Sequence, residues 1–310
     1  MRGTTTSRLA FCLLLPTLTL SVPAASEVAA QEPFQARCGA GVHLEERSGW
    51  VWVPQGRIFC PLVADPKAGG SFISYLRGDF ATIGDPDGGL ETNTGSVGLG
   101  DRFAIFRVAG AHPGNGLQLD LSGAVFSQFH LDQPSFDLIN ADYLVGLPLT
   151  LRRDGFSTRL RVYHQSSHLG DEFLLNRQPE RINLSFESLE LIVSQEWGPL
   201  RMYGGGEEFF RTEPADLAAR LVHLGVELRP LTFTNGRLFA ALDFKSVEED
   251  ERWIAAWSAR AGLEIARIPS VGHPPRIVSF RLELYDGAAP YGQFYREDIH
   301  YWGFGISIAR

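Results

Sequence analysis

A histidine and a serine two positions apart can act as a base and the nucleophile it activates. The stretch Tyr163-His164-Gln165-Ser166-Ser167-His168-Leu169-Gly170-Asp171-Glu172 has that spacing. A serine hydroxyl is a weak nucleophile until a histidine takes its proton, and the histidine itself needs a third group to orient it. Ser166 is the candidate nucleophile and His164 the candidate base. The chemistry they suit is attack on an ester carbonyl followed by hydrolysis. Asp171 and Glu172 are candidate metal ligands, since adjacent carboxylates in a glycine-containing loop can hold Ca²⁺. A solvated acidic loop, or pairing with Arg177 and Arg181, is the competing use of the same residues. His164 and His168 would lie about 13 Å apart on one strand, too far to share an ion.

The element that carries these residues reads as a strand. Side chains on a strand point to opposite faces with period two. Phe156, Leu160 and Val162 share a face, and the same count carries His164, Ser166 and His168 onto it. Ser166 and His164 are then about 7 Å apart along the strand, a gap that histidine can largely span. Similar alternation runs from about Ser71 to the C-terminus. Leu117, Leu119, Leu121 and Val125 form one apolar row, Tyr143, Val145, Leu147 and Leu149 another, and Leu189, Leu191 and Val193 a third. Further rows are Val222 to Leu228, Leu238 to Phe244, Val278 to Leu284 and Trp302 to Ile308. About twelve strands are expected, with short links such as Arg153-Asp154-Gly155 and Trp197-Gly198-Pro199 alternating with long ones at 83–93, 129–137, 167–180 and 286–298.

Alternation alone does not say which face is wet. A soluble β-protein buries its apolar rows, whereas an outer-membrane barrel turns them to lipid and keeps polar residues inside. The residues opposite the apolar rows include Arg159, Arg161, Glu190, Arg201, Glu207, Glu227, Arg229, Asp243, Lys245, Arg260, Glu264, Arg281 and Glu283. They carry both signs in near-equal numbers, as a narrow interior filled by mutual pairing requires. The N-terminus adds Arg2 and Arg8 before the apolar run Leu9 to Leu20, and then small residues up to Ala30, the pattern of an export signal. The expected class is therefore an all-β, antiparallel transmembrane barrel of about twelve strands. Residues 1–30 are the signal peptide, 31–70 an irregular periplasmic extension that packs on the body, and 71–310 the barrel, in the outer membrane of a Gram-negative bacterium. Cys12 leaves with the signal, so Cys38 and Cys60 are expected to form a disulfide worth about 3 kcal/mol. A net charge of −8 without a basic stripe argues against nucleic acid as a partner.

The segments Phe59-Cys60-Pro61-Leu62-Val63-Ala64-Asp65-Pro66-Lys67, Tyr163 to Glu172 and Arg181-Ile182-Asn183 resemble the uncharacterised bacterial family known as domain of unknown function 1207. The likeness spans roughly residues 50 to 310. It implies an exported outer-membrane barrel and leaves the activity open. Locally, His164-x-Ser166 is similar to the His-x-Ser of outer-membrane phospholipase A and of lipid A deacylase, which add an amide or carboxylate from the next strand. This sequence departs from both at Ser167, where asparagine is usual. Parity on the next strand puts Asn183, Ser185 and Glu187 on the face of Leu189, Leu191 and Val193, so Glu187 is the candidate orienting acid. The resemblance implies a serine acyl hydrolase acting on outer-leaflet phospholipid or lipid A. Lipid is the expected partner, a monomer or a homodimer the expected state, and Ca²⁺ at Asp171 and Glu172 the one cofactor considered. The other reading is a non-catalytic barrel, a narrow pore or a surface structural protein, in which the His-Gln-Ser-Ser-His segment only stabilises an external loop.

Overall fold

The computed structural model describes residues 49–80, 91–112, 114–179, 182–217, 219–233, 235–249, 252–266 and 277–309. The expected signal segment, Cys12, Cys38, Arg181 and most of the 83–93 link lie outside these residues.

The chain runs through β1 (Gly49–Trp52), β2 (Ser71–Phe80), β3 (Thr92–Ala109), β4 (Gly116–His130), β5 (Asp137–Arg153) and β6 (Phe156–Leu169). A short helix, α1 (Asp171–Arg177), precedes β7 (Leu184–Trp197), β8 (Leu200–Glu213), β9 (Arg220–Leu228) and the two-residue β10 (Thr232–Phe233). β11 (Gly236–Glu249), β12 (Arg252–Ala266), β13 (Ile277–Ala288) and β14 (Asp298–Ala309) follow. Leaving aside β1 and β10, twelve strands pair antiparallel, each with the next. β2 joins β14, and β3 joins both β2 and β4, so the sheet closes on itself. The expected strand count is met.

Closure needs a stagger, because tilted strands cannot meet edge to edge in flat register. Following the paired residues once round the wall from Ala109 leads back to the same strand at Thr92. Alternation then sorts the side chains. Tyr143, Val145, Leu147, Leu189, Leu191, Leu224, Phe280 and Trp302 are exposed on the outside. Arg159, Glu190, Arg201, Glu227, Arg260 and Glu283 are buried inside. They pair as the charge balance suggested: Arg159 with Glu190 at 2.7 Å, Arg201 with Glu227 at 3.1 Å, Arg260 with Glu283 at 2.8 Å.

The interior holds more than wall side chains. Between β1 and β2 the chain passes through the lumen as an irregular segment. Irregular backbone away from water needs partners for its carbonyls, and here wall arginines supply them. Arg152 donates to Ile58 O at 3.2 Å, and Arg201 to Cys60 O at 3.1 Å and Pro61 O at 3.0 Å. Arg260 donates to Val63 O at 2.9 Å, while Val63 N donates to Glu227 at 2.9 Å. Lys245 holds Asp65 at 2.7 Å, and the Arg159 and Arg201 guanidiniums lie 4.7 and 5.2 Å from the Phe59 ring. Cys60 is buried, with Sγ 3.5 Å from Glu196.

Two places in the wall are thin. β2 begins only at Ser71, and Phe72 pairs with Gly98, whereas β1 takes up β3 again at Phe106. Among the described residues, the edge of β3 from Leu99 to Ala104 has no strand on that side. Between β4 and β5 the ladder runs from Leu119–Leu149 directly to Ser122–Gly146, skipping the positions opposite Pro148 and Leu147. Proline has no N–H to give.

Candidate active site

β6 divides the signature stretch between the two faces of the wall. Tyr163, Gln165 and Ser167 point inward and are buried, while His164, Ser166 and His168 point outward. Phe156, Leu160 and Val162 share the outward face, as the parity argument required. Antiparallel pairing then sets the neighbours. His164 lies opposite Glu187 on β7, and Ser166 lies between Tyr143 on β5 and Ser185 on β7.

His164 Nδ1 is 3.2 Å from Glu187 Oε1. The two side chains are 42 and 29 % exposed, so the pair sits open on the outer wall. With Glu187 at Nδ1, the ring has Nε2 left to face a serine, which is the division of labour in a serine–histidine–acid triad. Ser166 comes from the same strand two positions on, and no hydrogen bond joins its Oγ to His164 among the described residues. A rotamer change at Ser166 or His164 is needed to make that bond. On the far side of Glu187, Arg211 Nε lies 3.9 Å from Oε2. Arg211 reaches this face because β8 has a bulge: Glu187 pairs with Arg211 and Ser188 with Phe209, leaving Phe210 extra. Bulges re-aim side chains and are frequent beside active sites.

The remaining candidates fall elsewhere. His168 packs edge-on against Tyr143, ring centroids 5.8 Å apart. Asp171 and Glu172 occupy the exposed first turn of α1, where negative charge suits the helix dipole. Among the described residues no cluster of three or more His, Cys, Asp or Glu side chains is gathered for a metal.

The inward half of the stretch serves another centre that the sequence reading missed. Asp142 is fully buried and accepts from Ser167 Oγ and Lys67 Nζ. It also accepts Gly292 N at 3.1 Å, and Gln293 Nε2 donates to Ser167 O at 2.8 Å. Ser167 thus ties three things together: the lumenal segment through Lys67, the wall through Asp142, and the 289–297 connection. Two of the segments that carry the family resemblance, ending at Lys67 and running through Ser167, meet at this one carboxylate.

A closed, staggered barrel with apolar residues outside and a paired polar interior is of the outer-membrane type. The chain belongs to the family described as protein of unknown function DUF1207, whose model matches residues 23–309. No curated protein matches it. Among solved structures it is similar to outer membrane phospholipase A from Escherichia coli, with 14% identity and a TM-score of 0.51 over 78% of this chain and 90% of that one. It is likewise similar to the Salmonella typhi outer membrane phospholipase dimer with bound calcium, with 14% identity and a TM-score of 0.50 over 79% and 93% of the two chains. At this identity the likeness is one of fold.

Proposed function

We propose that the protein is an outer-membrane acyl hydrolase acting on phospholipid or lipid A of the outer leaflet. Ser166 is the nucleophile, His164 the base and Glu187 the orienting acid. The observation that carries the reading is the His164 Nδ1–Glu187 Oε1 contact at 3.2 Å on the outward wall, two positions from Ser166. Ser166 Oγ attacks the ester carbonyl as its proton passes to His164 Nε2. The tetrahedral intermediate then collapses, the C–O bond breaks, and the imidazolium returns the proton to the leaving alcohol. Water, deprotonated by the same nitrogen, releases the fatty acid from Ser166. Export by residues 1–30, location in the outer membrane, and a bridge between Cys38 and Cys60 belong to the same reading. So does the wider domain division. Asp171 and Glu172 are its calcium candidates, and a homodimer its candidate assembly.

The test is fatty-acid release from vesicles of phospholipid and from lipid A by the refolded protein. Wild type and a control altered at another outward serine, Ser127→Ala, should release fatty acid, and Ser166→Ala should not. Equal release by all three, or none by any, removes the hydrolase. The inward bonds of Ser167 favour a second reading, a structural barrel whose signature stretch fastens the 289–297 connection. That reading expects no release from any variant and a loss of stability on Ser167→Ala.

A further inference from the structure

The lumen retains an open space beside residues 57–70. Counted together with its extension onto the outer wall, the space measures about 960 Å³, at the upper end of the ~300–1,000 Å³ usual for small-molecule sites. The charges that face it are mostly positive, because the partner carboxylates Glu190, Glu227, Glu283 and Asp142 stand behind the lining. Eight of the residues that line it are arginine or lysine, and only Asp101 and Glu264 are acidic. Part of that positive charge has hydrogen-bonding capacity to spare. Arg102 Nη1, Arg161 Nε and Arg229 Nε are buried without hydrogen-bond partners among the described residues. Arg102 comes no nearer than 3.6 Å to Asp120, beyond hydrogen-bond range.

The cavity opens through the wall. Gly69, Gly70 and Ser71 line it on one side of the β2–β3 seam, and Leu99, Gly100 and Asp101 on the other, along the β3 edge that no strand covers among the described residues. Asp101 points outward from the middle of its strand. A carboxylate there is costly against lipid, so the seam suits a polar opening better than a sealed wall. The same cavity continues over the outer surface, where Gly123, Val125, Tyr143 and Val145 line it as far as His164. Asp101, Gly123, Val145 and His164 lie on one rung of the sheet. Gly123 leaves that rung bare, since a Cβ added to it would meet nothing nearer than 3.9 Å. The result is a trough, apolar between Asp101 and His164, that leads to the arginine-lined chamber.

We propose that this continuous space binds a single-chain anionic amphiphile. The carboxylate or phosphate of its head lies among Arg102, Arg161 and their neighbours, and its one acyl chain passes through the seam into the trough. The inference rests on the membrane reading of the barrel and not on hydrolysis. It can therefore stand or fall separately.

The experiment uses the full chain carrying Ser166→Ala, so that nothing turns over, in uncharged detergent micelles. Native mass spectrometry counts ligands bound from oleate, oleoyl lysophosphatidate, uncharged monoolein and inorganic phosphate. The expected result is one oleate or one lysophosphatidate per barrel, with at least tenfold less monoolein. Arg102→Gln, which removes a charge from the chamber, should lower occupancy about tenfold. Gly70→Trp, which fills the mouth, should do the same. A Cβ at Gly70 meets nothing within 4 Å and its backbone lies outside the left-handed region, so the wall can accept the larger residue. Heat-modified gel migration reports whether each variant is folded. Binding of oleate but not lysophosphatidate, or the reverse, identifies the head group. Equal binding of monoolein overturns the proposal, as does displacement of oleate by an equal concentration of phosphate. Oleate occupancy unchanged in both folded variants also overturns it.

Discussion

At the scale of single residues, the outward pair of His164 and Glu187 is better explained by chemistry than by stability. An ion pair this exposed contributes about 0–1 kcal/mol at most. In the proposed triad its use is to fix the imidazole, whose Nδ1 is 3.2 Å from the carboxylate. If Glu187 orients the base, Glu187→Gln should lower kcat by on the order of 10²–10⁴, leave KM nearly unchanged and leave the barrel folded. Steady-state kinetics on a lipid ester, with gel migration as the fold check, decide it, and an unaltered kcat removes Glu187 from the triad. Parity made this much legible: it put His164, Ser166 and Glu187 on one face and gave their relative heights. It could not give Arg211. Counting from Arg201, which points inward, an unbroken strand would turn Arg211 inward too. The extra residue Phe210 reverses the count, and no residue type in the sequence marks a bulge there.

At the scale of elements, the wall is strong where ladders are complete and weak where they are interrupted. Alternation across Tyr143, Val145, Leu147 and Leu149 identified β5 despite Pro148, since the proline leaves the facing of its neighbours intact. What the pattern did not show is the cost to the ladder, two paired positions missing between β4 and β5 while the register holds. Ser122 Oγ donates to Gly146 O at 3.1 Å and satisfies one carbonyl beside the gap. Pro148→Ala supplies the missing donor. It should slow amide exchange at Asp120 and Ser122, whose N–H groups face β5, and stabilise the barrel by about 0.5–1.5 kcal/mol. Exchange rates equal to wild type would mean that the strands are held apart by something other than the proline. The loop lock beneath the signature stretch works in the opposite sense. Asp142→Ala leaves Lys67, whose side chain is only 12% exposed, without this carboxylate and should cost about 3–5 kcal/mol. Equilibrium unfolding of refolded barrel measures it. A loss under 1 kcal/mol would show that Lys67 swings to another acceptor and that Asp142 is not what anchors the lumenal segment.

At the scale of the whole molecule, the barrel is a tube with part of its own chain inside. Charge balance along the strands made a filled lumen legible, and mutual pairing of Arg159–Glu190, Arg201–Glu227 and Arg260–Glu283 bears that out. The segment that completes the filling was not legible. It has no period, and its fastenings are arginine bonds to backbone carbonyls at Ile58, Cys60, Pro61 and Val63. Any residue type presents the same carbonyl. Arg107 likewise donates to Gln55 O at 3.0 Å and Gly56 O at 3.2 Å, so four wall arginines, Arg107, Arg152, Arg201 and Arg260, share their donors between wall partners and a strap that could be removed. Deleting residues 49–70 takes away those acceptors together with Phe59, on which two guanidiniums stack. The arginines retain their carboxylate and amide partners on the wall, so the twelve-strand ladder should still close. Water should then enter the space the strap leaves. In planar bilayers the full chain is expected to be silent and the deleted chain to conduct in discrete steps, with heat-modified migration showing that both are folded. A folded but silent deletion would mean that wall side chains collapse across the lumen unaided. Steps of equal size from the full chain would mean that the strap does not seal the tube.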